Sequence, residues 1–236
     1  MKETNQYYEL IKYYLHPGVK HAIVEEFYSN AAIPALNRIG IKNVGVFKPV
    51  YGESDNSLFV LVPHNSFEAV YNDNEKLASD NDYLVKGADF LNSALNNPSF
   101  VKMEKTLLRS FNYLPQMQLP AVFDRGKTRI FEMRIYQSPG FISARKKIHM
   151  FNEGGELDIF KRTGLQPLFF GESIIGREMP NLLYMLIFEN MEERERNWTK
   201  FEMHPDWIKL KNDPYYVDLV SNITDIILKP APCSQI

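Results

Sequence analysis

Polar side chains recur on a segment of the chain that alternates as a β-strand does. Glu132, Arg134 and Tyr136 alternate with the apolar Met133 and Ile135, so the three polar side chains share one face. A carboxylate, a guanidinium and a phenol on one face can orient the oxygens of a small ligand in a pocket. The alternative is structural, because Glu132 and Arg134 can pair inside the protein and fix only the strand register.

A second segment near the N-terminus has the same pattern. Glu9 and Tyr13 share a face with Ile11. A charged predicted helix adds further candidates, since Arg194 and Trp198 are suited to the rim of a ligand pocket. Alternatively, Trp198 packs between helix and sheet, while Arg194 is solvated or paired within the charged run 192–196.

Motifs for metals, nucleotides and nucleophiles are missing from the sequence. His149 and Glu153 are one helical turn apart, but no third ligand stands at a useful spacing and His-Glu-x-x-His does not occur. There is no Gly-x-Ser-x-Gly elbow, no Walker A loop and no Gly-x-Gly-x-x-Gly. We therefore predict no metal site and no cofactor, and no residue is identified as catalytic.

Composition excludes several classes of protein. The chain has 236 residues, and Lys+Arg 27 against Asp+Glu 29 is not the charge balance of a nucleic-acid binder. No apolar run approaches the roughly 20 residues of a transmembrane helix, and the N-terminus lacks the apolar core of a signal peptide. The single cysteine, Cys233, cannot form an internal disulfide. We expect a soluble cytoplasmic protein with no membrane or nucleic-acid partner; an exported mature chain and a homo-oligomer stay open.

The sequence contains an internal repeat. The segment 8–13 resembles 131–136, with a glutamate and a tyrosine at the same spacing, and 98–102 resembles 205–209. We assign repeat 1 to residues 1–113, with a helical insert at about 76–95, and repeat 2 to residues 128–236. The stretch 114–127 contains Pro115, Pro120 and Gly126 and is predicted to be an extended linker.

Each repeat is predicted to run strand–helix–strand–strand–helix–strand. The predicted strands cover 7–15, 43–51, 57–63 and 106–113 in repeat 1, and 129–138, 166–175, 181–189 and 222–229 in repeat 2. Pro34 in one repeat and Gly154-Gly155 in the other should break the first helix late. Asn65 and Asn190 should cap the second helices.

The third strands indicate how the two repeats combine. Residues 58–62 and 182–188 are apolar at every position, so both faces of each strand must be covered. Helices can cover only one face of such a sheet. Two sheets that face each other, with the helices outside, satisfy this requirement and predict an α/β barrel within one chain.

The chain resembles the NIPSNAP family in both repeats. In repeat 2 the matching stretches are 131–136, Pro139-Gly140, 181–188, Glu193-Arg194, Trp198, Phe201 and 204–207. Repeat 1 is similar through Glu9, Tyr13, Pro17-Gly18, 33–36 and Asn97-Pro98. The resemblance implies a fold of the α+β class, in which tandem ferredoxin-like β-α-β-β-α-β repeats form a dimeric α/β-barrel-type structure. It implies no reaction, although the wider superfamily includes cofactor-free monooxygenases and haem enzymes, and animal relatives are mitochondrial proteins linked to protein interactions.

The sequence departs from the family pattern in two places. Tyr184 stands on the third strand of repeat 2, where many members carry histidine. The second helix of repeat 1, 66–71, lacks the arginine and the tryptophan that repeat 2 has.

Three hypotheses about function follow. The first is a protein that binds a small hydrophobic or aromatic molecule in the barrel cleft. If the polar faces of the first strands point into the barrel, the predicted lining consists of Glu9, Tyr13, Glu132, Arg134, Tyr136 and Tyr184, with Arg194 and Trp198 at the rim. The second is a cofactor-independent monooxygenase or isomerase that uses Glu132 or Tyr136 as acid or base. The third is a protein-interaction scaffold without catalysis.

Overall fold

Eight strands form the centre of the protein, among residues 4–17, 21–53, 56–120 and 128–236 that the computed structural model describes. Gly18 and residues 121–127 of the predicted linker lie outside the described residues. The strands are β1 Tyr7–Tyr14, β2 Gly45–Tyr51, β3 Ser57–His64, β4 Lys102–Ser110, β5 Ile130–Gln137, β6 Gln166–Ile175, β7 Asn181–Phe188 and β8 Asn222–Pro230.

The strands close into a barrel in the order β1-β3-β2-β8-β5-β7-β6-β4. Within each half, the first strand lies between the third and the last: β1 pairs with β3 and β4, and β5 pairs with β7 and β8. The halves join edge to edge through β2–β8 and β4–β6, all antiparallel. Every residue of β3 and β7 is buried, which confirms that both faces of these strands are covered.

Helices cover the outside of the barrel. In the first half they are α1 Ala22–Phe27, α2 Ile33–Arg38, α3 Phe67–Ala78, α4 Asn81–Lys86 and α5 Ala88–Leu91; in the second they are α6 Phe141–Phe151, α7 Glu156–Thr163, α8 Met191–Glu202 and α9 Pro205–Lys211. A π-helical turn, Tyr28–Ala32, joins α1 to α2, and Pro34 occupies the first turn of α2, where its missing N–H is tolerated. Gly155 separates α6 from α7 with a φ of +87°.

Two local predictions were wrong. The cap of α3 is Ser66, whose Oγ accepts a hydrogen bond from the backbone N–H of Ala69 at 3.1 Å, whereas Asn190 caps α8 as predicted. Strand β4 begins at Lys102, earlier than predicted. The first residues of β4 are polar and lie at the exposed end of the strand, so the apolar pattern that marks a buried strand is weak there.

Apolar side chains fill three layers. The barrel interior holds Tyr8, Leu10, Phe47, Phe59, Leu61, Leu108, Phe131, Met133, Leu168, Phe169, Leu183, Met185, Ile187, Ile226, Leu228 and Ile236. A second cluster lies beneath the helices of the first half and includes Ile11, Tyr13, Phe27, Tyr28, Val60 and Phe90. A third lies beneath the helices of the second half and includes Tyr136, Phe151, Phe160, Phe170, Tyr184 and Phe201. Each layer can be entered by a ligand only where packing leaves a cavity.

Candidate functional site

The residues of the first strands that we predicted to line the barrel point away from its interior, so the predicted barrel lining was wrong. On β5, Phe131 and Met133 face the interior, while Tyr136 belongs to the layer beneath the helices and Glu132 reaches α8. On β1, Glu9 and Tyr13 alternate with Tyr8 and Leu10 of the interior cluster and lie outside it. Arg134 on β5 and Tyr184 on β7 also lie outside this cluster. The physical reason is that the alternate positions are more apolar, and a closed barrel interior takes the apolar set.

A cleft at one end of the barrel does exist, but other residues line it. It has a volume of about 280 Å³ and is lined by Leu10, Lys12 and Tyr14, one position along the strand from the predicted residues. Its charges are paired: Lys12 with Glu53, and Glu104 with the Tyr14 hydroxyl at 2.8 Å. These pairs leave the cleft few groups with which to hold a polar ligand.

A cavity of about 300 Å³ lies between the sheet and the helices of the first half. We call it the first-half cavity. Six of its nineteen lining residues are phenylalanine or tyrosine, and Phe27 and Phe90 stack with ring centroids 4.1 Å apart. The other lining residues are Glu9, Ile11, Tyr13, Tyr28, Ala32, Leu36, Val62, His64, Asp73, Asn74, Leu77, Tyr83, Leu91, Ser93, Phe100, Met103 and Lys105. An enclosed aromatic space with a few convergent polar groups is the usual form of a small-molecule site.

The polar end of the first-half cavity is built around His64, which is 3% exposed. Its Nε2 lies 3.0 Å from Oε2 of Glu9, and its Nδ1 lies 3.0 Å from Oδ2 of Asp73. A hydrogen bond at each nitrogen requires a proton between nitrogen and oxygen, so the three side chains share two protons. A neutral imidazole carries only one of them. The group therefore links one buried imidazole to two carboxylates at the polar end of the cavity.

Two lysines complete this group. Lys105 donates to Oε1 of Glu9 at 2.9 Å, and Lys76 donates to Oδ1 of Asp73 at 2.9 Å. Burial acts to raise the pKa of Glu9, but the bonds from His64 and Lys105 outweigh it and hold that pKa below the ordinary glutamate value. Glu9 is thus ionised at neutral pH beside an apolar cavity.

A pair of phenols lies further inside the same cavity. The Tyr13 and Tyr28 hydroxyl oxygens are 3.0 Å apart, and both side chains are buried. Burial raises the pKa of Tyr13 to about 12, so its hydroxyl stays protonated and can donate a hydrogen bond to a ligand.

A separate cavity of about 400 Å³, which we call the second-half cavity, lies beneath the helices of the second half. Its lining residues are Arg134, Tyr136, Lys147, Glu156, Trp198, Phe201, Glu202, Trp207, Lys211, Val220 and Ile223. Lys147 donates to Glu156 at 2.7 Å, and both side chains are buried. Burial raises the pKa of Glu156, although Lys147 acts in the opposite direction.

Glu132 stands behind this cavity and is fully bonded. Its carboxylate accepts from Arg194 Nε at 3.0 Å and Nη2 at 2.7 Å, from Trp198 Nε1 at 2.6 Å, and from Arg134 Nη1 at 3.4 Å. The side chain is 0% exposed. Burial raises the pKa of Glu132 against the effect of Arg194, with the charge of Asp225 adding to the rise. A carboxylate with these partners fixes helix to strand and is poorly placed to act as a base.

The structure therefore distributes the predicted site residues over different places. Glu9 and Tyr13 line the first-half cavity, whereas Arg134, Tyr136 and Trp198 line the second-half cavity. The remaining three lie behind these surfaces: Glu132, Arg194 and Tyr184, the last stacked on Phe170 with its hydroxyl 3.0 Å from that of Tyr136. Ligand binding by these residues stays a prediction.

Sequence reasoning missed His64, Asp73 and Lys105. His64 has no counterpart in the second repeat, where Glu189 stands at the matching position, and this difference marks the first half as distinct. The available signal was its position at the end of a strand whose other residues are mostly apolar. A titratable side chain buried in such a strand needs partners.

Neither a metal site nor a membrane span appears in the described part of the chain. No group of three or more His, Cys, Asp or Glu side chains there is arranged to hold a metal ion. His149 Nδ1 instead lies 2.7 Å from the hydroxyl of Tyr216. No described helix combines the length and the apolar character needed to cross a bilayer.

Comparison with known proteins places the fold and the family. The family model NIPSNAP matches residues 8–115 and 131–235. No curated protein matches the chain significantly. A putative monooxygenase from Lactobacillus acidophilus NCFM has a TM-score of 0.59 at 9% identity, over 96% of this chain and 94% of that one. One from Fusobacterium nucleatum subsp. nucleatum ATCC 25586 has a TM-score of 0.56 at 8% identity, over 96% and 93%.

An anthrone oxidase-like protein is similar to the same extent. Its TM-score is 0.54 at 8% identity, and the match covers 98% of this chain and 93% of that one. At such low identities, the likeness of these structures shows the shared barrel fold alone. The family model, by contrast, covers most of both halves, and the chain belongs to the NIPSNAP family, with two tandem copies in one closed barrel.

Proposed function

We propose that the protein binds a small aromatic molecule bearing a hydroxyl or carbonyl group in the first-half cavity. The observation that carries this proposal is the Glu9–His64–Asp73 group at the polar end of an aromatic cavity. Ligand pockets span about 300–1,000 Å³, so a cavity of about 300 Å³ suits a ligand of one or two rings.

The division of the cavity into two ends supports a ligand of this type. Aromatic walls stabilise a bound ring through burial and edge-to-face contacts, worth about 0.5–1.5 kcal/mol per aromatic pair beyond area burial. The ionised Glu9 can accept a hydrogen bond from a ligand hydroxyl, and the Tyr13 hydroxyl can donate one to a ligand oxygen.

Calorimetric titration with 2-naphthol tests this proposal. Leu77 lines the first-half cavity, and Leu77→Trp should fill it and weaken binding by at least about tenfold, or about 1.4 kcal/mol. The matched control is Val220→Trp, which fills the second-half cavity and should leave the affinity for 2-naphthol unchanged. His64→Gln, which keeps the cavity open, should also weaken binding. Unchanged affinity in both Leu77→Trp and His64→Gln would overturn the assignment.

A second candidate function is proton abstraction followed by reaction with dioxygen, without a cofactor. The observation in its favour is that Glu9 lines the cavity as an ionised carboxylate and can accept a substrate proton, while His64 and Lys105 hold it in position. Two proteins of similar fold are described as putative monooxygenases, which supports a test for this chemistry.

An oxygen electrode separates an enzyme from a binding protein. Anthrone has an acidic carbon and serves as the probe. Oxygen uptake above the uncatalysed rate, lost in His64→Gln and retained in Val220→Trp, supports the enzyme. Uptake equal to the uncatalysed rate at saturating anthrone leaves binding alone as the proposed function.

A further inference from the structure

The second-half cavity has an incompletely bonded arginine in its wall. Arg134 makes one hydrogen bond, the 3.4 Å contact with Glu132, and its buried Nε has no acceptor among the residues that the structure describes. Glu132 is a poor partner, because Arg194 and Trp198 already occupy its carboxylate at shorter distances. A guanidinium has five N–H donors, so most of the bonding capacity of Arg134 is unused.

We propose that the second-half cavity is a separate binding site for a small aromatic carboxylate, with Arg134 as its anchor. A carboxylate matches the planar fork of a guanidinium and can accept two parallel hydrogen bonds from it. The Arg134 guanidinium carbon lies 4.5 Å from the centroid of Trp198, which holds the group in place by a cation–π contact.

The charges of the lining favour an anion. Arg134, Lys147 and Lys211 are opposed by Glu156 and Glu202, which leaves one positive charge in excess. Lys147 and Glu156 form an ion pair at 2.7 Å, so the Glu156 carboxylate is bonded to Lys147 and does not compete with a ligand for Arg134.

An aromatic wall stands beside this anchor. Trp198, Phe201 and Trp207 line the cavity, with Phe201 and Trp207 in contact at 4.5 Å between ring centroids. A ligand ring against this wall would gain the contacts that aromatic pairs prefer. The first half has Ile11 at the position that matches Arg134 in the strand register, so the anion site belongs to the second half alone.

One acceptor of the protein itself competes with this proposal. Asp225 lies opposite Arg134 on β8, and its buried Oδ1 also lacks a partner among the described residues. Arg134 can therefore close on Asp225 in place of a ligand. Asp225 does not line the cavity whereas Arg134 does, which favours a ligand.

Tryptophan fluorescence tests the proposal at this site specifically, because the chain has two tryptophans, Trp198 and Trp207, and both line the cavity. The probes are benzoate and its neutral isostere benzamide. Benzoate should change the fluorescence saturably and bind at least about tenfold more tightly than benzamide, a difference of about 1.4 kcal/mol. Arg134→Gln should abolish this preference, and Arg134→Lys should restore part of it.

Arg177→Gln is the matched control, since it removes the same charge from an exposed arginine that does not line the second-half cavity. It should leave benzoate binding unchanged. Equal affinity for benzoate and benzamide, or no fluorescence change in the wild type, would overturn the proposal. The wild-type comparison decides even if Arg134→Gln fails to fold. Because 2-naphthol is tested at the other cavity, either proposal can fail without the other.

Discussion

The two halves of the barrel place a glutamate at the same position of their first strands but surround it differently. Glu9 is bonded by His64 and Lys105 at the edge of an open cavity. Glu132 is enclosed by Arg194 and Trp198 and is 0% exposed. Position in the fold therefore does not determine the role of a residue: the same glutamate belongs to a candidate site in one half and to the structural framework in the other.

The helix that follows the third strand of each half, α3 in the first and α8 in the second, causes this difference. In the second half, α8 carries Arg194 and Trp198, which reach Glu132 directly. In the first half, α3 lacks both residue types, and Asp73 reaches Glu9 only through His64. The first half thus keeps its glutamate accessible to a ligand.

Truncation of the two glutamates tests this contrast with the largest expected effect. Glu132→Ala removes a fully buried carboxylate, which leaves Trp198 Nε1 without its acceptor and the half-buried Arg194 with Asp225 alone. Breaking a buried pair costs about 3–5 kcal/mol. Glu9→Ala should cost roughly 1–3 kcal/mol, because Lys105 can turn to solvent. Urea unfolding of both variants measures the difference. A larger loss for Glu9→Ala than for Glu132→Ala would reverse the assignment of roles.

The buried ion pair of the second half gives a somewhat smaller effect. Lys147→Met should cost about 3 kcal/mol, at the lower end of the range for broken pairs, since Glu156 already has a raised pKa and can become neutral by taking a proton. The double variant Lys147→Met/Glu156→Leu should lie within about 1 kcal/mol of the wild type, because apolar replacement of a whole buried pair is often neutral. Thermal and urea unfolding measure both. A double variant that is less stable than the wild type by clearly more than about 1 kcal/mol would mean that the pair is a net stabiliser.

The two glutamates should titrate in opposite directions from the ordinary value. The pKa of Glu9 is lowered, so its ionised form stabilises the fold above the ordinary pKa, and this stabilisation is lost as pH falls through the folded pKa. The pKa of Glu132 is raised, so its protonated form stabilises the fold below the ordinary pKa. This stabilisation is lost as pH rises through the folded pKa. Side-chain carboxyl NMR titration, assigned with Glu9→Gln and Glu132→Gln, measures both. If the pKa values of Glu9 and Glu132 both lie above, or both below, the ordinary glutamate value, the proposed difference between the two halves is wrong.

The smallest expected effect concerns a feature that the halves share. Each half has two tyrosine hydroxyls 3.0 Å apart, Tyr13 with Tyr28 and Tyr136 with Tyr184. Tyr13→Phe and Tyr136→Phe each remove one hydrogen bond and should each cost about 1 kcal/mol in urea unfolding. A difference of more than about 1 kcal/mol between them would show that one hydroxyl has further partners.

The sequence was sufficient for the fold because β3 and β7 are apolar at successive positions, and this pattern requires cover on both faces. The sequence did not show in which direction the polar faces of the first strands point. Alternation shows that Glu132 and Arg134 share a face, but not whether that face meets helices or the barrel interior. Here the neighbouring positions were also apolar, so the interior took Phe131 and Met133.

The candidate site depended on contacts between residues far apart in the chain. His64 and Glu9 meet because β1 pairs with β3, and Asp73 joins them from α3. Neither contact leaves a periodic signal in the sequence. Comparison of the repeats favoured residues that recur, and His64 does not recur, so the repeat itself hid the residue at the centre of the site.

The central claim is that the ligand site lies beneath the helices of the first half and outside the barrel. A crystal structure with bound 2-naphthol tests it most directly. We expect the hydroxyl within hydrogen-bond distance of Glu9 or His64, with the ring against Phe90. A ring bound instead in the barrel cleft beside Leu10 and Lys12 would contradict the claim.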